Sequence, residues 1–137
     1  MDNVETPQPK ILKSLADFNF TPTDENPILL TRSAVLAIQR ELMKNSCQYL
    51  RLSAREDERE CVRHDMICED TIMEKDTTHL LKGVTLVIAR DDLVRLRGTV
   101  IDYLSNFTGT GFRFYNPNIP ERKIIPGQEP KTKRSRR

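Results

Sequence analysis

The side chains of this sequence best suited to chemistry are three cysteines, Cys47, Cys61 and Cys68, and two histidines, His64 and His79. Thiolates hold a metal or an iron-sulfur cluster only when several converge on one point. The spacing works against convergence. Cys61 and Cys68 are seven residues apart; on one regular strand an odd separation turns them to opposite faces, and rise alone puts them about 23 Å apart. They then share neither a metal nor a disulfide unless a bulge or turn intervenes. Cys47 follows a helical stretch and has no partner evident from spacing, so the plain reading is three reduced thiols. An odd cysteine count without close spacing also argues against the disulfide framework of small secreted domains and for a reducing compartment.

Catalysis finds little support. There is no Gly-x-Ser-x-Gly elbow, no phosphate-cradling glycine loop and no His-Glu-x-x-His pair. Each histidine reads as a half-exposed strand or turn residue, and the acidic residues of 56–60 read as solvated surface. No enzyme is expected. The C-terminal residues Lys131, Lys133, Arg134, Arg136 and Arg137 are suited to displacing counterions from phosphates. They lack an interleaved aromatic for base stacking. A solvated tail and a tail docked on RNA or an acidic protein both fit.

The elements that must position these groups belong to one domain, since 137 residues leave room for one core plus appendages. Hydrophobic residues at 37%, charged residues at 31% and a mean hydropathy of -0.55 suit a soluble domain. No apolar run approaches the ~20 residues of a membrane-crossing helix. The net charge of +2 hides an asymmetry: 119–137 carries seven basic and two acidic residues, leaving the rest slightly acidic. The first 13 residues lack both an apolar signal core and arginine, so they carry neither a secretory nor a typical organelle signature.

Residues 1–27 hold four of the eight prolines and read as a flexible N-terminal arm. Within it Ile11, Leu12, Leu15 and Phe18 have helical spacing, either as a short helix docked on the domain or as a partner-binding segment. Thr31 is placed to cap a helix reaching about Asn45, with Ala34, Val35, Ile38 and Leu42 as its apolar stripe. Residues 49–54 alternate as a strand, with a hairpin partner over about 61–72 beyond the charged connection 55–60. The apolar run 84–89 reads as a buried strand entered through a turn at Gly83. Asp91 is placed to cap a short helix ending near Gly98, and 99–104 and 111–115 follow as strands, the last setting Phe112 and Phe114 on one face.

Several stretches resemble one family in order and nearly without gaps. They are Leu50-Arg51-Leu52, Gly83-Val84-Thr85-Leu86-Val87-Ile88, Leu96-Arg97-Gly98-Thr99-Val100-Ile101-Asp102-Tyr103, and Gly111-Phe112-Arg113-Phe114-Tyr115-Asn116-Pro117-Asn118. The resemblance is to the A-type iron-sulfur cluster assembly proteins, the HesB-like or IscA-like family. It implies an α+β fold: a compact β-rich core over 28–118 with one principal helix, flanked by the arm and by a basic C-terminal tail, 119–137. Members of that family hold iron or a cluster with three cysteines, one in a glycine-rich connection and two in a Cys-Gly-Cys near the C-terminus. Counted from the flanking motifs, those positions fall here on Arg59, Lys123 and Ile125, and Glu56, Asp57 and Glu58 replace the glycines.

Arg59 and Lys123 offer no lone pair at neutral pH and Ile125 has no donor atom. Cys61, two residues from the expected position, is the candidate cofactor-binding residue. The resemblance, so modified, implies a ligand-poor scaffold or partner subunit acting through protein contacts, with an A-type homologue or larger assembly as partner and no cofactor of its own. The alternatives are a carrier that combines Cys61 with ligands from a partner, and a nucleic-acid-associated component working through the tail. Mitochondrial placement is implied by the resemblance alone, and otherwise a cytoplasmic one.

Overall fold

Along one extended segment Leu50, Leu52 and Ala54 alternate with Arg51, Ser53 and Arg55, and this period of two turns the apolar row inward. The same rule organises most of the structure, a computed structural model that describes residues 17–106, 109–125 and 131–132. Of these, Asn106, Gly109, Thr110, Lys131 and Thr132 are described by backbone alone. The chain runs β1 (Leu29–Leu30), α1 (Arg32–Lys44), β2 (Tyr49–Glu56), β3 (Val62–Glu69), β4 (Asp76–Leu81), β5 (Val84–Ala89), α2 (Arg90–Leu96), β6 (Val100–Asn106), β7 (Gly109–Tyr115) and β8 (Lys131–Thr132), with a 3-10 turn at Glu121–Lys123. One sheet has the order β4-β5-β2-β3-β8 and the other β1-β6-β7. Pairs β2/β3, β4/β5 and β6/β7 are antiparallel, whereas β2/β5, β1/β6 and β3/β8 are parallel.

Ala34 and Ile38 of α1 pack with Leu50, Leu52, Leu86, Ile88, Ile101 and Phe112 in one core that joins the two sheets. This is the expected α+β, β-rich fold with one principal helix. Thr31 caps α1 as its sequence suggests, its hydroxyl accepting from the Ala34 amide at 3.2 Å. The same hydroxyl donates to the buried Asp102 carboxylate at 2.6 Å, and Ser33 donates to it at 3.0 Å. The Ile101-Asp102-Tyr103 motif therefore ties the start of the helix to β6.

Several expectations are corrected. The helix after β5 is capped at Ala89, without a side-chain bond; Asp91 lies inside its first turn because β5 runs directly into α2. The hairpin partner of β2 ends at Glu69 rather than near residue 72. Strands β1 and β4 were not anticipated. Strand β4 is fixed by a tight turn through Lys82 and Gly83, both left-handed at φ 52° and 86°. It is also fixed by Arg51, which bonds Asp76 with two N–H groups at 2.7 and 2.6 Å and Glu69 at 2.9 Å. That guanidinium, spanning β3 to β4, holds the Asp76 carboxyl below the usual carboxylate range.

The histidines are not half-exposed. His64 sits in the inward row of β3 with Val62, Met66 and Cys68, and His79 lies inward on β4, bonded to the Thr77 hydroxyl at 2.9 Å. Strand alternation buries both despite their polarity.

Of the N-terminal arm, Phe18 packs against Tyr115 in a tilted ring pair with centroids 5.3 Å apart, and Asp24 pairs with Arg97 at 3.2 Å. Ile11, Leu12 and Leu15 lie outside the described residues. Beyond Asn118, Ile119 packs against the core and β8 lies alongside Ile67 and Cys68 of β3. The backbone of Lys131 thus belongs to the sheet, while Lys133, Arg134, Arg136 and Arg137 lie outside the described residues.

The Asn116-Pro117-Asn118 turn is a polar knot around the buried Asn116. The Asn116 side-chain amide donates to Arg95 O at 3.0 Å and meets His64 Nε2 at 3.1 Å, and its oxygen accepts from the Asn118 amide at 2.9 Å. Because that oxygen is already an acceptor, the amide nitrogen faces His64, and Nε2 must accept. The ring is also stacked on Phe114 at 4.6 Å. Asn118 donates to Arg95 O and Arg97 O at 2.8 and 2.9 Å. Gly98, at φ 91° in the turn after α2, packs against this knot, and a Cβ there would stand 3.0 Å from Pro117.

Gly98→Ala should destabilise the fold by about 1–3 kcal/mol, since it adds both left-handed strain and this contact; urea unfolding at neutral pH measures it. A second outcome follows from His64, whose imidazole burial pushes down to about 4. A lowered basic pKa favours the folded state above pH 6.5, and that stability is lost as pH falls toward 4. Between pH 7.5 and 5 this residue should cost the fold about 2 kcal/mol. The unfolding free energy of His64→Gln should fall less than that of the native chain over the same interval.

Candidate functional site

The loop joining β2 and β3 carries the first of the positions singled out in the sequence. The pair Glu56–Val62 closes the hairpin, and the Asp57 amide donates to Cys61 O at 2.8 Å. The Asp57 carboxylate then turns inward on its own loop, accepting from the amides of Arg59 at 2.9 Å and Cys61 at 2.8 Å. These bonds, that of Cys61 first, hold the Asp57 carboxyl below its ordinary range. Glu60 takes φ 66°, completing the reversal. Arg59 projects into solvent, with 82% of its side chain exposed and its guanidinium 3.5 Å from Asp57.

The other two positions come from the far end of the chain. After the Asn116 knot, the 3-10 turn leads Ile124 into a parallel bridge with Val62, and the Ile125 amide donates to Val62 O at 2.9 Å. Lys123 Nζ lies 3.2 Å from Glu60 Oε1. The loop holding Arg59 and the segment holding Lys123 and Ile125 are therefore neighbours. Between the segment and β7 runs a groove of about 220 Å³ lined by Phe114, Tyr115, Ile124, Ile125 and Arg113.

Cys61 sits half-buried at the base of the loop, next to Val62. Cys68 lies at the opposite end of β3, paired with Leu50, and Cys47 lies on the turn leading into β2, so neither approaches Cys61. Sequence spacing separated Cys61 from Cys68 correctly but gave Cys47 no partner. In the structure its thiol donates to Asn45 O at 3.5 Å. Among the described residues, no three or more of His, Cys, Asp and Glu are grouped to hold a metal ion. An arginine, a lysine, an isoleucine and one nearby thiol do not fit an iron-sulfur cluster ligated by this chain alone. No helix among the described residues is long and apolar enough to cross a membrane.

No family model matches the sequence. A stretch of 96 residues is 30% identical to a SufA protein of Bacillus subtilis (strain 168), covering 68% of this chain and 79% of that one. Over 50 residues the chain is 38% identical to the iron-binding protein IscA of Proteus mirabilis (strain HI4320), covering 36% of this chain and 47% of that protein. Among solved structures it is similar to IscA with its [2Fe-2S] cluster, at 31% identity and a TM-score of 0.55, over 66% of this chain and 83% of that one. Escherichia coli SufA shares the fold, with a TM-score of 0.60 at 18% identity over 74% and 93% of the two chains. With its motifs in order and a relative matched over most of that relative's length, this chain belongs to the A-type iron-sulfur cluster assembly family, the HesB-like or IscA-like proteins.

Proposed function

We propose that this chain serves iron-sulfur cluster assembly as a ligand-poor scaffold or partner subunit, acting through protein contacts with a ligand-bearing A-type homologue or a larger assembly. The observation that carries this reading is the join between the two ligand-bearing segments. Where relatives are expected to place sulfur, Glu60 and Lys123 form an ion pair and the Ile125 amide bonds Val62 O. At the three positions themselves Arg59, Lys123 and Ile125 offer iron no lone pair, and the backbone and charged groups around them are already engaged with one another.

A second reading has one specific support: the Cys61 thiol lies at this junction, half-buried and next to the Val62 that bridges Ile124. In that reading Cys61 supplies one ligand and a partner, or glutathione, supplies the rest.

Anaerobic incubation with iron and sulfide separates the two. The native chain should stay colourless, and the triple variant Arg59→Cys, Lys123→Cys, Ile125→Cys should gain visible sulfur-to-iron absorbance. Stable colour in the native chain, abolished by Cys61→Ser, would transfer the function to the second reading. Co-expression with an A-type homologue should yield a complex that survives replacement of Cys47, Cys61 and Cys68 by serine; dissociation of that complex would count against the scaffold.

A further inference from the structure

We propose that the groove between β7 and the 3-10 turn is a docking site for the chain's own residues 11–16, which close it as an amphipathic helical segment with Ile11, Leu12 and Leu15 facing in. The groove, of about 220 Å³, has apolar walls of Phe112, Phe114, Ile124 and Ile125. It exceeds the ~150 Å³ that accommodates a benzene-sized group. The arm leads to it. From Pro27, whose carbonyl accepts from the Gly98 amide at 2.7 Å, the arm runs upstream past Asp24, paired with Arg97. Next comes Pro22, 3.8 Å from where a Gly98 Cβ would stand, and then Phe18, packed on Tyr115. Tyr115 lines the groove, so the residues before Phe18 start at its rim. Asp17, the first described residue, is in 3-10 conformation, which brings the backbone to this point in a helical turn.

The sequence supplies a face that matches the groove in length and chemistry. On a helix Ile11, Leu15 and Phe18 fall within about 60° of arc, with Leu12 beside them, while Lys10, Lys13, Ser14 and Asp17 take the other side. From Ile11 to Phe18 such a helix rises about 10 Å. Phe112 to Tyr115 on β7 covers about the same distance. With Phe18 on Tyr115, the stripe therefore spans the groove. A polar observation agrees with the apolar one. Arg113, which also lines the groove, has its Nε buried with no acceptor among the described residues, and buried donors are seldom left so. Two residues before Tyr115 on β7, it shares a strand face with that ring. A helix ending at Asp17 leaves its last carbonyls without intrahelical partners, and arginine side chains bond such carbonyls. One segment thus provides both the apolar filling and the missing acceptor. A groove filled from within is not the surface that meets a partner.

Nuclear Overhauser spectra of the full chain, with labelled methyl and aromatic groups, test this. Methyls of Ile11 and Leu15 should give cross-peaks to the Phe114 ring and the Ile124 methyls. In a mixture of labelled and unlabelled chains these should prove to lie within one chain. The double variant Leu12→Asp, Leu15→Asp should lose the cross-peaks from Ile11 and shift the Arg113 Nε–H signal. It should keep those between Tyr103 and Phe112, whose rings are 4.8 Å apart in the hairpin β6/β7, as the sign of an intact fold. A native chain without cross-peaks from residues 11–16 to the groove would overturn the proposal. So would cross-peaks found only between chains, which would assign the groove to a second copy, or cross-peaks from Ile11 that survive in the double variant. The native spectrum decides the matter even where the double variant fails to fold.

Discussion

The buried Asn116 amide is the constraint on which the site depends. Its two sides bind three separate parts of the chain: the end of α2 through Arg95 O, the inward row of β3 through His64, and its own turn through Asn118. Leaving any of these groups unpaired in the interior costs on the order of 1–3 kcal/mol. The turn therefore has one direction in which to leave β7, across the end of α2 toward Val62. Along that path Lys123 and Ile125 meet the β2–β3 loop, through the Glu60 ion pair and the Val62 carbonyl. The Glu60–Lys123 pair, with the Glu60 side chain 70% exposed, contributes at most about 1 kcal/mol.

Scaffold and ligand positions are physically separable here. The core is made by alternating rows of β2, β3, β5, β6 and β7 against Ala34 and Ile38, and none of Arg59, Lys123 and Ile125 belongs to it. Exchanging sulfur for a cation at an exposed loop leaves burial untouched. A fold similar to IscA can accordingly persist beside a junction that does not suit iron.

What the sequence made legible follows the range of the interactions involved. Elements governed by local periodicity could be read directly: the α1 stripe and its Thr31 cap, the alternation of β2, and the apolar run of β5. Counting from the motifs picked out Arg59, Lys123 and Ile125 but not their adjacency, which comes from the Glu60–Lys123 pair and the Ile125–Val62 bond. Strand β4 could not be read in this way, since Asp76, Thr77, Thr78 and His79 are polar. Its pairing comes from the Lys82-Gly83 turn and from Arg51, which lies 25 residues away. Nor could the burial of His64, whose partner Asn116 lies 52 residues on. Polarity sets the cost of burying a side chain, but its position in a paired strand decides whether it is buried.

A loop built to wait for a metal keeps its donors and amides available for the ligand and its second shell. This one has spent them. The Asp57 carboxylate already binds the amides of Arg59 and Cys61, and Ile125 N–H is already bonded to Val62 O. Replacing flexible glycines by Glu56, Asp57 and Glu58 also reduces the conformations open to the loop. To take up a cluster on ligands beyond Cys61, the junction would have to give up these bonds and the Glu60–Lys123 pair. That cost favours a surface already complete, one that meets a partner in the shape it has alone.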